Sequence, residues 1–181
     1  GLAYSGKVMR PTPFTPTVDA LRDLVNDKTG QRFDCALLNL YPERSVACKY
    51  HKDPDLGRLW ARDSVIVSVG ETRRFAFREE KELDGKKKFG PEHWFRVRGG
   101  DAIWMFGDCN DTWEHCVIPG EIDGETLDAP RASVVFKRSL AVGKGGGTRG
   151  HAVTTRVAAP APGAGNRNRR GGGSNPTRGG G

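Results

Sequence analysis

Residues 64–78, SVIVSVGETRRFAFR, hold two β-type runs separated by Gly70. A run dominated by Val and Ile, a glycine break, and a second run around Phe75 and Phe77 read as strand, turn and strand. The same texture extends in both directions. Strands are expected near 35–41, 46–50, 64–69, 73–78, 93–97, 101–106, 113–118 and 131–137, with turns at Pro42, Gly70, Asp84-Gly85, Gly99-Gly100, Asp108–Asp111 and Asp123-Gly124. Upstream, PTVDALRDLVNDKTG places Val18, Leu21, Leu24 and Val25 on one helical face, with Thr17 as N-cap and Gly30 just past the end. Trp104, Met105 and Phe106 read as core. One helix followed by about eight short strands predicts a mostly β fold, a two-sheet jelly roll with a helix supporting one face.

The chain has 181 residues, the size of one ordinary domain, and at 36% hydrophobic and 28% charged residues it can build a packed core. No stretch approaches eighteen consecutive apolar residues, which excludes a helical membrane span. The opening GLAYSGKVMR has neither the apolar core of a secretion signal nor an initiator Met, so a truncated N-terminus is expected. The net charge of +7 resides in the tail: residues 141–181 carry Lys144, Arg149, Arg156, Arg167, Arg169, Arg170 and Arg178, no Asp or Glu, and 13 of the 25 glycines. Residues 1–140 are therefore neutral overall, and an acidic partner has to be met by local patches. These features divide the chain into a domain at 1–140 and a disordered Gly/Arg-rich tail at 141–181. Cys35, Cys48, Cys109 and Cys116 form no C-x-x-C pair and read as reduced thiols of an intracellular protein, nuclear or cytoplasmic. A monomer is expected.

Candidate chemistry centres on two histidines. In an extended strand, residues two apart share a face, so His51 and Asp53 in YHKDPD can converge on one point. His115, in TWEHCVI, lies on a strand 64 residues later that a jelly roll can bring alongside. Two imidazoles and one carboxylate on one side of a metal leave the other positions open, the facial arrangement of non-haem Fe(II) oxygen chemistry. Standing alone, H-x-D reads first as a surface dipeptide with its Asp in a turn. Arg131, sixteen residues after His115 in PRASVVFKR, adds a second signal. An Arg inside a sandwich needs an anion, and one end of a dicarboxylate would supply it; the alternative is an edge Arg paired with Asp128 or Asp101. Trp113 shares the His115 face, His93 reads as structural, and Cys116 points away from His115.

Five pieces in order resemble the AlkB-like Fe(II)/2-oxoglutarate dioxygenases from about Leu2 to Leu140. They are N-x-Y at Asn39 and Tyr41, H-x-D-x-D at His51, Asp53 and Asp55, SVGETRRFAFR, GGDAIWMFGDCNDTWEHCV and PRASVVFK. The resemblance implies a double-stranded β-helix with iron held by His51, Asp53 and His115. It implies that Arg131 and Ser133 hold the distal carboxylate of 2-oxoglutarate, with Asn39 and Tyr41 contacting that co-substrate. Asp55 then matches a base-reading position and Tyr4 a base-stacking one. The family's second Arg is replaced by Lys137, which keeps the charge without the planar fork and is expected to take over its co-substrate contact. Arg73, Arg74 and the hairpin lysines Lys86, Lys87 and Lys88 are candidate phosphate contacts. The implied activity is oxidative demethylation of N-alkylated DNA or RNA bases, of the N1-methyladenine or N3-methylcytosine type, with release of formaldehyde, succinate and carbon dioxide. Two alternatives stand beside it: an impaired nucleic-acid-binding module of the same fold, and a dioxygenase with a non-nucleic-acid substrate.

Overall fold

A computed structural model describes residues 2–4, 7–54, 56–120, 129–140 and 151–156, with 2–4, 7–9 and 151–156 described by their backbone alone. Its elements are β1 (Leu2–Tyr4), β2 (Lys7–Met9), β3 (Thr12–Pro13), α1 (Pro16–Thr29), β4 (Cys35–Tyr41), β5 (Cys48–His51), β6 (Trp60–Gly70), β7 (Arg73–Leu83), β8 (Lys86–Val97), β9 (Ala102–Met105), α2 (Cys109–Thr112), β10 (Trp113–Val117), β11 (Arg131–Ser139) and β12 (His151–Arg156). A six-stranded sheet runs β3-β12-β4-β11-β6-β9 and a four-stranded sheet runs β5-β10-β7-β8, while β1 and β2 pair by themselves. The mostly β jelly roll expected from the sequence is the fold observed.

Period-two alternation in β11 shows how the layers form. Val134 and Phe136 face outward and join Ala36, Val65 and Val67 under Val25 of α1. Val135 faces inward and joins Leu37, Ile66 and Met105 opposite Phe75, Val97 and Val117 of the smaller sheet. Each fully buried side chain of this kind contributes about 1.5–3 kcal/mol relative to exposure. The same alternation sends Arg131, Ser133 and Lys137 inward, all buried.

Helix α1 starts one turn-residue pair earlier than expected. Its N-cap is Thr15, whose side chain accepts the Val18 N–H, and Pro16 occupies the first turn, where a missing N–H costs nothing. Gly30 caps the other end at φ 69°, as expected. Leu24 is 54% exposed, so the buried face consists of Val18, Leu21 and Val25. Phe106 is likewise exposed, Trp104 partly so, and only Met105 of that trio is core, because β9 is an edge strand paired, among the described residues, with β6 alone.

The β7–β8 hairpin is longer than the two short strands expected there. Asp84 at φ 54° and Gly85 at φ 67° form its turn, with the positive φ at both central residues that matches strand twist. β7 pairs with β10 only as far as Glu79, so the rest of the hairpin overhangs the sheet as a two-stranded ribbon. The expected turn at 108–111 is a single helical turn, α2. Within the tail expected to be disordered, residues 151–156 form β12, parallel to β4 and antiparallel to β3; residues 141–150 and 157–181 lie outside the described set. The four cysteines are unpaired.

Gly70 closes the seam where β6 leaves the sheet beside Arg131. At φ +88°, an added Cβ would sit 2.5 Å from the Pro130 carbonyl oxygen. Gly70→Ala is expected to lower stability by about 1–3 kcal/mol in urea unfolding. Gly85→Ala should cost less, because its added methyl meets nothing within 4 Å.

Candidate metal centre

His51 ends β5 and lies directly opposite His115 of β10, their ring centroids 4.3 Å apart. Phe75 stacks on His115 at 5.6 Å and 9°, fixing the ring against the inner wall. Asp53 is not on the strand, since β5 stops at His51. Its carboxylate reaches the pair nonetheless, with Oδ1 3.6 Å from His51 Nε2 and 3.9 Å from His115 Nε2. One donor atom from each of the three falls within 4.8 Å of the others, a spacing that fits a single metal ion.

Two side chains hold Asp53 in place. The Asn110 amide pairs with its backbone, accepting the Asp53 N–H at 2.7 Å and donating to the Asp53 carbonyl at 3.0 Å. This amide does for an irregular segment what a neighbouring strand would do for a regular one. Lys137 Nζ donates to Asp53 Oδ2 at 2.6 Å, leaving Oδ1 for the imidazole side. His51 Nδ1–H donates to the Lys49 carbonyl at 2.8 Å, which turns Nε2 toward the cluster. The remaining nitrogen of His115, Nδ1, is buried without a hydrogen-bond partner among the described residues.

The electrostatics are those of a tightly buried charge cluster. Burial opposes ionisation of Asp53, yet the Lys137 ammonium and the neighbouring imidazoles hold its carboxyl well below the usual carboxylate range. Burial lowers the His115 pKa to about 4 despite the pull of Asp53. For His51, burial acts downward, but hydrogen bonding to Asp53 and Cys48 outweighs it and raises the value to about 10.

A cavity of about 110 Å³ adjoins the cluster, walled by Ile66, Phe75, Val117 and Val135 and edged by Asn39, Tyr41 and Ser133. Asn39 Nδ2 lies 3.5 Å from Ser133 Oγ across the β4–β11 pairing. The Arg131 guanidinium sits 4.9 Å from the Tyr41 ring centroid, and its Nε donates to Ser68 Oγ at 3.2 Å. Arg131 is 1% exposed, and neither Nη1 nor Nη2 finds a hydrogen-bond partner among the described residues. Two orphaned, parallel donors on a buried cation are a costly arrangement that a carboxylate satisfies. The donor set of His51, Asp53 and His115 therefore fits a divalent metal, and the terminal nitrogens of Arg131 fit a carboxylate.

The structure brings together Asn39, Tyr41, His51, Asp53, His115 and Ser133, with Arg131 against Tyr41. Lys137 belongs to the group but not in the expected role, because its ammonium is on Asp53 and not beside Arg131. Arg73 is not available to phosphate: it is buried, paired with Glu71 at 2.6 Å and donating to the Glu43 carbonyl at 3.0 Å. Arg74, on the opposite face of β7, lies over the Trp94 ring at 5.3 Å. Lys86, Lys87 and Lys88 are exposed on the hairpin, with Lys87 bound to Glu80 at 2.8 Å. Trp113 meets His93 edge-on at 5.7 Å. Asp55 lies outside the described residues, and Tyr4 is described only as backbone in β1. Asn110 was missed from sequence, where GDCND reads as a turn and gives no sign that one of its amides is buried.

Residues 1–137 match the 2OG-Fe(II) oxygenase superfamily. Uncharacterized protein R406 of Acanthamoeba polyphaga mimivirus is 31% identical over 136 residues, covering 75% of this chain and 65% of its own length. The DNA oxidative demethylase ALKBH2 of Mus musculus is 30% identical over 144 residues, covering 77% of this chain and 58% of its own. Alpha-ketoglutarate-dependent dioxygenase alkB homolog 3 of Homo sapiens is 29% identical over 139 residues, covering 74% and 46%. The chain thus spans roughly half to two thirds of the length of these curated relatives. No helix among the described residues is long and apolar enough to cross a membrane.

Replacing Asn110 by Ala removes both hydrogen bonds that seat Asp53. The variant is expected to bind Mn(II) about 10–100-fold more weakly in a chelator-competition titration, with its far-UV circular dichroism unchanged.

Proposed function

Because the chain belongs to the 2OG-Fe(II) oxygenase superfamily and is AlkB-like within it, we propose that it removes alkyl groups oxidatively from nucleic-acid bases. The observation that carries this reading is a His-Asp-His cluster that lines one cavity together with Tyr41 and Ser133, next to a buried guanidinium, Arg131, packed on the Tyr41 ring with its two terminal nitrogens unpartnered among the described residues. Nucleic acid as substrate is supported by the relatives, two of which are named as a DNA oxidative demethylase and an alkB homolog.

In this reading His51, Asp53 and His115 would hold Fe(II), each through one donor atom, at the edge of the cavity they line. Arg131 receives the distal carboxylate of 2-oxoglutarate in a forked contact, with Ser133, Tyr41 and Asn39 lining its path. Ile66, Phe75, Val117 and Val135 exclude water from that path, which strengthens the ionic contact. When bound, Fe(II) and 2-oxoglutarate would supply, with molecular oxygen, the hydroxylation of an N-methyl group, with succinate and carbon dioxide formed from 2-oxoglutarate and formaldehyde lost from the base. Tyr4 and Asp55 are the candidates for stacking on and reading the base. Arg74 beside Trp94 and the hairpin lysines 86–88 are the candidates for phosphate contact. The Gly/Arg-rich segment adds sequence-independent affinity.

The test is succinate formation by the full chain supplied with Fe(II), 2-oxoglutarate, oxygen and an oligonucleotide carrying N1-methyladenine or N3-methylcytosine. Methyl-dependent succinate with restored base, abolished by His51→Ala, is the expected result. Succinate that no methylated oligonucleotide stimulates would remove nucleic acid as the substrate. Arg131→Met is expected to weaken 2-oxoglutarate binding by a hundredfold or more, roughly 3 kcal/mol, while Mn(II) affinity stays within a few-fold, as isothermal titration would measure.

A further inference from the structure

Lys137 stands where an oxygenase of this kind would be expected to grip its co-substrate, yet its Nζ is 2.6 Å from Oδ2 of Asp53. Both side chains are 3% exposed. The two oxygens of one carboxylate are thereby divided, Oδ2 to the ammonium and Oδ1 toward His51 and His115. An ammonium is a compact point charge that meets one oxygen, whereas a guanidinium would fork across two. We propose that Lys137 is a resident counter-charge for Asp53, which keeps the metal-free site folded and limits how tightly the site holds its metal.

The argument is one of linkage and rests on the metal-centre reading given above. A buried carboxylate without a partner destabilises the fold, and Lys137 offsets that cost when no metal is present. With a divalent ion bound, the ion itself meets the carboxylate, so the ammonium is needed less. An interaction that stabilises the metal-free form more than the metal-bound form weakens metal affinity by the same free energy. Removing Lys137 should therefore make the empty protein less stable and the metal tighter. A residue that merely shaped the ligand set would do the reverse to affinity. Asn110 is such a residue, touching the Asp53 backbone and carrying no charge.

The experiment compares the full chain with Lys137→Met and Lys137→Arg by thermal unfolding with and without Mn(II), and by Mn(II) titration against a competing chelator. Lys137→Met is expected to melt at lower temperature when metal-free, to regain most of the difference with saturating Mn(II), and to bind Mn(II) roughly tenfold or more tightly. Lys137→Arg, which restores the charge, should return both quantities toward those of the parent. If Lys137→Met is unfolded without metal, folding on addition of Mn(II) supports the inference; remaining unfolded with Mn(II) overturns it. Equal or weaker Mn(II) binding by a folded Lys137→Met also overturns it and leaves the metal centre standing. Absence of Mn(II) binding by the parent chain would instead remove the metal centre, and the inference with it.

Discussion

Strand pleating alone forces the residues of β11 at 131, 133, 135 and 137 onto the face between the two sheets, and two of those four are cations. A sandwich interior tolerates buried charge only where an opposite charge or a ring of acceptors meets it. At the β11 end nearest Tyr41, Arg131 has a hydroxyl and an aromatic face, and its two terminal nitrogens have no hydrogen-bond partner among the described residues. At the other, Lys137 has Asp53. The strand thus carries one cation that meets a carboxylate of the chain and one whose terminal nitrogens have no partner among the described residues, and Ser133 and Val135 between them line the cavity.

The rest of the centre follows from placing rigid and irregular backbone side by side. His51 and His115 come from neighbouring strands of one sheet, so their mutual position is set by the ladder. Asp53 lies just past the end of a strand, where no ladder reaches it, and Asn110 and Lys137 supply the missing constraint from a helical turn and from the opposite sheet. Three separate regions of the chain therefore have to be in register before the three donor atoms converge. That dependence on long-range pairing makes the centre a property of the complete sandwich, not of any local motif.

Much of this was legible from residue order. The α1 stop at Gly30, most strand positions and the inward Arg131 follow from local periodicity, which is what sequence displays; the His51, Asp53 and His115 donors were legible from the order of motifs instead, since Asp53 lies past the strand on which alternation placed it. What was not legible is non-local. Arg73 and Arg74 are adjacent and chemically alike, but pleating puts one beside buried Glu71 and the other on an exposed Trp. Lys137 faces inward as alternation requires, while its partner depends on where the Asp53 segment turns after β5. Asn110 sits in a turn-like sequence whose burial is created by that same segment. The exposure of Trp104 and Phe106 depends on β9 being an edge, and β12 is a parallel addition to β4 from residues whose composition argues for disorder.

The overhang of the β7–β8 hairpin separates two requirements that the compact part of the molecule cannot separate. Past Glu79 the ribbon pairs with no third strand among the described residues, and residues 81–89 at its tip are exposed. A free two-stranded ribbon adds little to stability and demands little of its side chains. Beyond Glu80, which pairs with Lys52 beside Asp53, its length and charge are accordingly open to change by insertion, deletion or substitution. Natural divergence, or a designer, has in the segment past Glu80 an arm that can be adjusted apart from the His-Asp-His cluster.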